Sequence, residues 1–138
     1  MTGSDRRHRL PVAAADLDPE DTKLVRLARV AQQRAYVLEA AGQGAAGRDT
    51  DGRTYAAATV EHPSPELTTS ALRGVLSAAL SSGARRFEAF VVLPEADDLD
   101  PADRVLLAEY APGVPVLLAD ANGIVVGQVV VAPATGER

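Results

Sequence analysis

The amino-acid sequence predicts an α/β fold: a mixed, mostly parallel five-stranded sheet with helices on both faces. Three observations predict it. Two helix starts, Asp18-Pro19-Glu20-Asp21 and Asp100-Pro101-Ala102-Asp103, share a capping aspartate followed by proline at the first helical position. Two nearly continuous apolar runs, Phe87 to Leu93 and Val114 to Ala119, read as strands buried on both faces. Helical spacing of apolar residues lies between the strands, which implies crossover connections and parallel neighbours.

Each element follows in order. Residues 1–17 mix charge, proline and alanine without a period and read as a flexible leader. Leu24, Leu27, Ala28, Ala31, Ala35 and Leu38 then recur at helical spacing, and Gly42 closes this first helix. Asp51-Gly52 between two short apolar runs marks a hairpin joining 44–48 to 53–60. Pro63-Ser64-Pro65-Glu66 opens a second helix, with Ser64 as its cap. Its apolar face, Leu67, Ala71, Leu72, Val75, Leu76, Ala79 and Leu80, is broad enough for burial on more than one side or for a subunit interface. Gly74 inside it costs about 1 kcal/mol relative to alanine, which points to close approach of a neighbouring backbone. Gly83 ends that helix, Pro112-Gly113 ends the third after Tyr110, and Ala121-Asn122-Gly123 turns the chain into a last strand, Ile124 to Val131. Residues 132–138 read as a flexible tail. The reading is one domain over 18–131 with the order α-β-β-α-β-α-β-β.

Composition narrows the function classes. The chain has 138 residues, 46% apolar and only 4% aromatic, with no tryptophan, so its core is built from alanine, valine and leucine. It has no cysteine, which excludes thiolate zinc sites, thiol catalysis and disulfides. The net charge of −5 points away from nucleic acid, whose binding needs clustered cations. The one basic run, Arg6-Arg7-His8-Arg9, reads as a solvated terminus. No segment has ~18 consecutive apolar residues and no signal-peptide core opens the chain, so no membrane partner and a cytoplasmic location are expected. Thirteen arginines against one lysine, and a single isoleucine, suggest a high-GC bacterium.

At this point several short stretches share a common pattern. Asp51-Gly52-Arg53-Thr54-Tyr55, then Thr59-Val60-Glu61, then Leu67-Thr68, resemble the small cytidine deaminases, in which a hairpin leads to an Asn-Val-Glu segment and a helix opening on Cys-Ala-Glu. Leu107-Ala108-Glu109-Tyr110-Ala111-Pro112 is similar to the family's helix after its Pro-Cys-x-x-Cys motif. The turns Ser81-Ser82-Gly83 and Asp120-Ala121-Asn122-Gly123 fall where the family places them. The resemblance covers roughly 20–130 and implies a three-layer α/β/α domain, a zinc-dependent nucleoside deaminase ancestry and dimeric or tetrameric assembly. It places Ser70, Asp100 and Asp103 at the three zinc-cysteine positions and Leu72 at the proton-shuttling glutamate, while Ala71 matches the motif. Thr59 stands at a ribose-contacting asparagine, Glu61 matches a ribose-contacting glutamate, and Ala41 or a neighbour stands where an aromatic stacks on the base.

The residues themselves argue against the family chemistry. Deamination needs a metal that lowers the pKa of its water and a group that carries protons. Leu72 carries none, and Ser70 is a poor neutral ligand. Asp100 and Asp103 are explained by helix capping, the more economical reading against a hard-oxygen metal site. Thr68, Thr69 and Ser70 are read as a polar first turn rather than an anion site, His62 as a solvated loop residue rather than an acid or base paired with Ser70, and Tyr36 and Tyr55 as packing residues with wet hydroxyls. Asp97, Asp98, Asp100 and Asp103 read as a solvated acidic stretch leading into the third helix. Glu61, with Thr59 and His62, is the candidate ligand-binding set. The expectation is a homo-oligomeric binding or scaffold protein that has lost zinc and deamination and keeps a pocket for a nucleoside-like ligand. The rival is an active deaminase, or another enzyme with a rebuilt site around Glu61, His62 and Ser70.

Overall fold

In the computed structural model, residues 5–9, 17–39 and 41–134 are described. The elements run β1 (Asp5–Arg9), α1 (Pro19–Gln32), β2 (Gly44–Asp49), β3 (Thr54–Ala58), α2 (Ala71–Ser81), β4 (Phe87–Leu93), α3 (Pro101–Tyr110), β5 (Val116–Ala119) and β6 (Val125–Val131). The five strands and three helices read from the sequence all form, and they make an α/β domain with a mixed sheet.

The sheet order is β1-β6-β5-β4-β2-β3. Its direction corrects the expectation of a mostly parallel sheet. Only β4 and β5 are parallel; the other four neighbour pairs are antiparallel. Only one crossover helix, α3, joins strands that end up side by side, and tight turns at Gly52 and Gly123 fold the others back. A sixth strand, β1, lies within the segment read as a leader and pairs with β6 from Asp5↔Val131 to Arg9↔Gly127. The flanks of that segment, and residues 135–138 of the tail, lie outside the described residues.

Helices cover both faces. On one side α1 buries Leu24, Val25 and Ala28 against Ala46, Val91, Leu117 and Ala119. On the other, α2 and α3 bury Leu72, Val75, Leu76 and Leu107 against Phe90, Val92, Val116, Leu118 and Val129. Ala71, Leu72, Val75, Leu76 and Ala79 of that broad face are therefore buried against the sheet, while Leu67 lies outside α2 and is exposed. With small residues throughout, the layers approach closely. A methyl group on Gly74 would sit 2.8 Å from the Cβ of Ala57 in β3, so the glycine reflects close packing of helix on strand.

Two helix boundaries differ from the sequence reading. α1 ends at Gln32, not at Gly42, because Tyr36 leaves the helix to pair with strand-like backbone: its N–H donates to Thr59 O and its carbonyl accepts from Glu61 N–H. α2 starts at Ala71, not at Pro65. Pro65–Leu67 makes only one tight turn, and Thr69 then exchanges backbone hydrogen bonds with Val60 in extended form. β-Branched threonines favour that conformation over helix. The delay makes Ser70 the true cap of α2. No helix among the described residues is long and apolar enough to cross a membrane.

Candidate functional site

α2 and α3 begin beside one another over the ends of the parallel strands β4 and β5. There lies a cavity of about 390 Å³. Val92, Leu118, Val129 and Leu72 give it an apolar floor; Thr59, Ser70, Arg73, Asp100 and Asp103 supply polar groups. Such a cleft at strand C-termini and helix N-termini is where open α/β sheets bind ligands.

Ser70 caps α2: its Oγ accepts from the Arg73 N–H at 3.0 Å. The same hydroxyl donates to Asp103 Oδ1 at 2.7 Å. Asp100 caps α3, accepting from the Ala102 N–H at 2.8 Å. Asp103 departs from the capping reading and from that of a solvated acidic stretch. It is 5% exposed, and it accepts a hydrogen bond from Ser70 at the start of α2. Burial raises its pKa above the ordinary carboxylate value. Ser70's hydrogen bond pulls it down, Asp100's charge pushes it up and Arg73 pulls it down; the net shift is upward.

Sequence reasoning missed Arg73. Its Nε stands 3.8 Å from Asp103 Oδ1, its Nη2 4.0 Å from Asp100 Oδ1, and its Nη1 donates to Thr68 O at 3.3 Å. The available signal was electrostatic. A cation in the first turn opposes the helix dipole, so its presence there implies facing carboxylates. Gln43 was missed too; its Nε2 donates to Pro94 O at 2.8 Å at the cavity wall, and no sequence pattern marks it.

The proposed ligand-binding set is divided. Thr59 is buried and lines the cavity, but its hydroxyl accepts from the Gln43 N–H at 3.0 Å. Glu61 is not among the lining residues. Its Oε1 accepts from the N–H groups of Leu38 and Glu39, at 2.7 and 3.1 Å, and so holds the loop after α1. His62 is exposed and outside the lining; its N–H donates to Thr68 Oγ1 at 3.3 Å. The partner of Ser70 is thus Asp103, not His62. Ala41 does line the cavity. Tyr36 is 60% exposed, whereas the Tyr55 hydroxyl is not merely wet: it donates to Asp49 Oδ2 at 2.9 Å.

The donor set does not fit the family's zinc. It offers neither thiolate nor imidazole, the ligands zinc prefers. The Ser70 hydroxyl is committed as both donor and acceptor, and Asp100 Oδ1 to a helix cap. A guanidinium already stands within 4.0 Å of both carboxylates. Among the described residues no group of three or more His, Cys, Asp or Glu is placed to hold a metal ion.

The architecture is a three-layer α/β domain with a polar cleft at the starts of two adjacent helices. The cytidine deaminase-like family model matches residues 17–123, and the chain belongs to that family. Among solved structures it is similar to cytidine deaminase from Burkholderia pseudomallei, at 28% identity and a TM-score of 0.71, over 79% of this chain and 90% of that one. It is also similar to cytidine deaminase from Mycobacterium tuberculosis, at 25% identity and a TM-score of 0.63, over 72% and 85% of the two chains. The enzyme from Mycobacterium leprae, at 24% identity and a TM-score of 0.65 over 73% and 89%, shares the fold. No curated protein matches the chain.

Proposed function

We propose that this chain is a non-catalytic member of the cytidine deaminase-like family, a metal-independent cytoplasmic binding or scaffold protein whose cavity takes a nucleoside-like ligand. The observation that carries the reading is the content of the cavity's polar corner. Arg73 faces Asp100 and Asp103 there, and the neighbouring Leu72 is 2% exposed and apolar. Hydrolytic deamination requires an activated water and a group that shuttles its proton. Leu72 does neither, and Ser70 is tied to Asp103.

Self-association belongs to the same reading. It is supported by the apolar side chains exposed beside the cavity: Tyr36 at 60%, Leu38 at 50% and Leu67 at 59%, with Val60 bridging Tyr36 and Thr69 through its backbone. Light scattering on the purified protein is expected to give a mass above the 14.4 kDa of one chain.

Cytidine turnover followed by ultraviolet absorbance, with and without added zinc, tests the central reading, together with metal analysis of the protein as purified. The expected result is no turnover in either arm and no stoichiometric metal. Turnover in either arm restores the enzyme reading. A stoichiometric divalent ion lost on Asp100→Ala assigns the aspartates to a metal instead.

A further inference from the structure

Asp103 is the most buried carboxylate lining the cavity, and the chain serves only one of its oxygens. The Ser70 hydroxyl donates to Oδ1 at 2.7 Å, and the nearest approach of Arg73, 3.8 Å, is to the same atom. The Asp103 side chain is 7% exposed, and its Oδ2 accepts no hydrogen bond among the described residues. A buried carboxylate oxygen without a donor is costly, so Oδ2 calls for a donor from outside the chain. The net rise of the Asp103 pKa agrees: the partners within the chain fall short of what the charge needs.

The surroundings set the chemistry of that donor. Arg104 offsets Asp98 at 3.4 Å, yet Glu66, Asp100 and Asp103 still face Arg73 alone among the described lining residues, a field that favours positive charge. Gln43 donates from Nε2 to Pro94 O at 2.8 Å, which leaves its amide oxygen as a further acceptor in the lining. The floor is apolar, with Leu72, Val92 and Leu118. A compact ammonium is strongly hydrated, whereas a planar cation with delocalised charge is weakly hydrated and suits such a floor better. We propose that the cavity holds a subsite for a planar organic cation of the amidinium type, whose N–H donates to Asp103 Oδ2. Placing that group on a base rests on the nucleoside-like reading of the cavity; the ligand is then a nucleoside whose base carries a positive charge.

Calorimetric titration of the full chain with 3-methylcytidine, 5-methylcytidine and benzamidine tests this. The two nucleosides differ in the place of one methyl group. Methylation at N3 fixes a positive charge across the amidine edge of the base, and methylation at C5 leaves the base neutral. 3-Methylcytidine is expected to bind about tenfold or more tightly than 5-methylcytidine. Asp103→Asn keeps a carbonyl oxygen for Ser70 but carries no charge, and it is expected to abolish that preference. Glu66→Gln removes an exposed carboxylate of the same lining and is expected to keep most of it. Equal affinities in wild type, or an equal loss of preference in the two variants, overturn the proposal. The wild-type comparison decides the matter even where Asp103→Asn does not fold. The outcomes also separate the subsite from the nucleoside reading. Nucleosides that bind without preference defeat the subsite alone. Benzamidine that binds wild type but not Asp103→Asn, with neither nucleoside bound, keeps the subsite and defeats the nucleoside reading. Binding by none of the three defeats both.

Discussion

Two buried carboxylates in this domain sit in opposite electrostatic situations. Burial pushes Asp49 up, but the N–H groups of Arg53 and Asp51 and the Tyr55 hydroxyl outweigh it, and its pKa is held below the ordinary value of 3.8. Asp103, with one hydroxyl and a guanidinium at 3.8 Å, is raised above that value. A lowered folded pKa contributes stability that is present above the unfolded pKa and lost as pH falls through the folded one. A raised folded pKa contributes stability that is present below the unfolded value and lost as pH rises through the folded one. Urea unfolding midpoints from pH 3 to pH 7 therefore separate the two. Asp103→Asn is expected to gain on wild type as pH rises above about 4. Asp49→Asn is expected to lose most at neutral pH, its deficit shrinking as pH falls below about 4. A pH profile of Asp103→Asn parallel to wild type would remove Asp103 as a strained group.

At the scale of elements, the small-residue composition decides how the layers meet. Gly74 faces Ala57 of β3, and its missing methyl is what lets α2 lie close to the sheet. Gly74→Ala gains about 1 kcal/mol of helix propensity. It also forces a methyl to 2.8 Å from one attached directly to backbone, which cannot swing away. Overpacking of that kind costs about 1–3 kcal/mol. The expected net effect in denaturant unfolding is a loss of up to about 2 kcal/mol. Adding Ala57→Gly is expected to relieve the clash and recover part of it; no recovery would locate the loss elsewhere. Gly74 was legible in the sequence as a close-approach site, as were the caps Asp18 and Asp100 and the buried strand Phe87–Leu93, because each follows from local chemistry. The C-terminal end of α1 and the start of α2 were not. Ala35 and Leu38 continue the helical period of α1, and Ser64-Pro65 mimics a helix start, but long-range backbone pairing among Tyr36, Val60 and Thr69 overrides both. That pairing moves the cap of α2 to Ser70 and so creates the Ser70–Asp103 contact.

The same limit explains how much of the site could be read at the scale of the whole molecule. Ser70, Leu72, Asp100 and Asp103 all line the cavity, since their place follows from element order. Glu61 was read as a ligand contact, and its role in holding the loop at Leu38 and Glu39 depends on a tertiary approach that no spacing announces. The cavity's charge balance is likewise a property of the assembled fold. Among the described residues, Glu66, Asp98, Asp100 and Asp103 line it against Arg73 as its one cation, in a chain of net charge −5. A phosphorylated ligand would bring further negative charge into a cleft where the Arg73 guanidinium is already engaged by carboxylates. An uncharged nucleoside meets no such repulsion. Thermal shifts with cytidine, uridine and purine nucleosides are thus expected to exceed those with the matching 5′-monophosphates. A ligand at 100 times its Kd adds about 2.7 kcal/mol, several degrees in Tm for a domain of this size. Raising salt from 0.1 to 1 M shortens the screening length from about 10 to about 3 Å, so the gap between nucleoside and nucleotide is expected to narrow as repulsion across the cleft is screened. A larger shift with the nucleotide at low salt would mean that Arg73 is free to take a phosphate, and the acidic lining would then not be what selects the ligand.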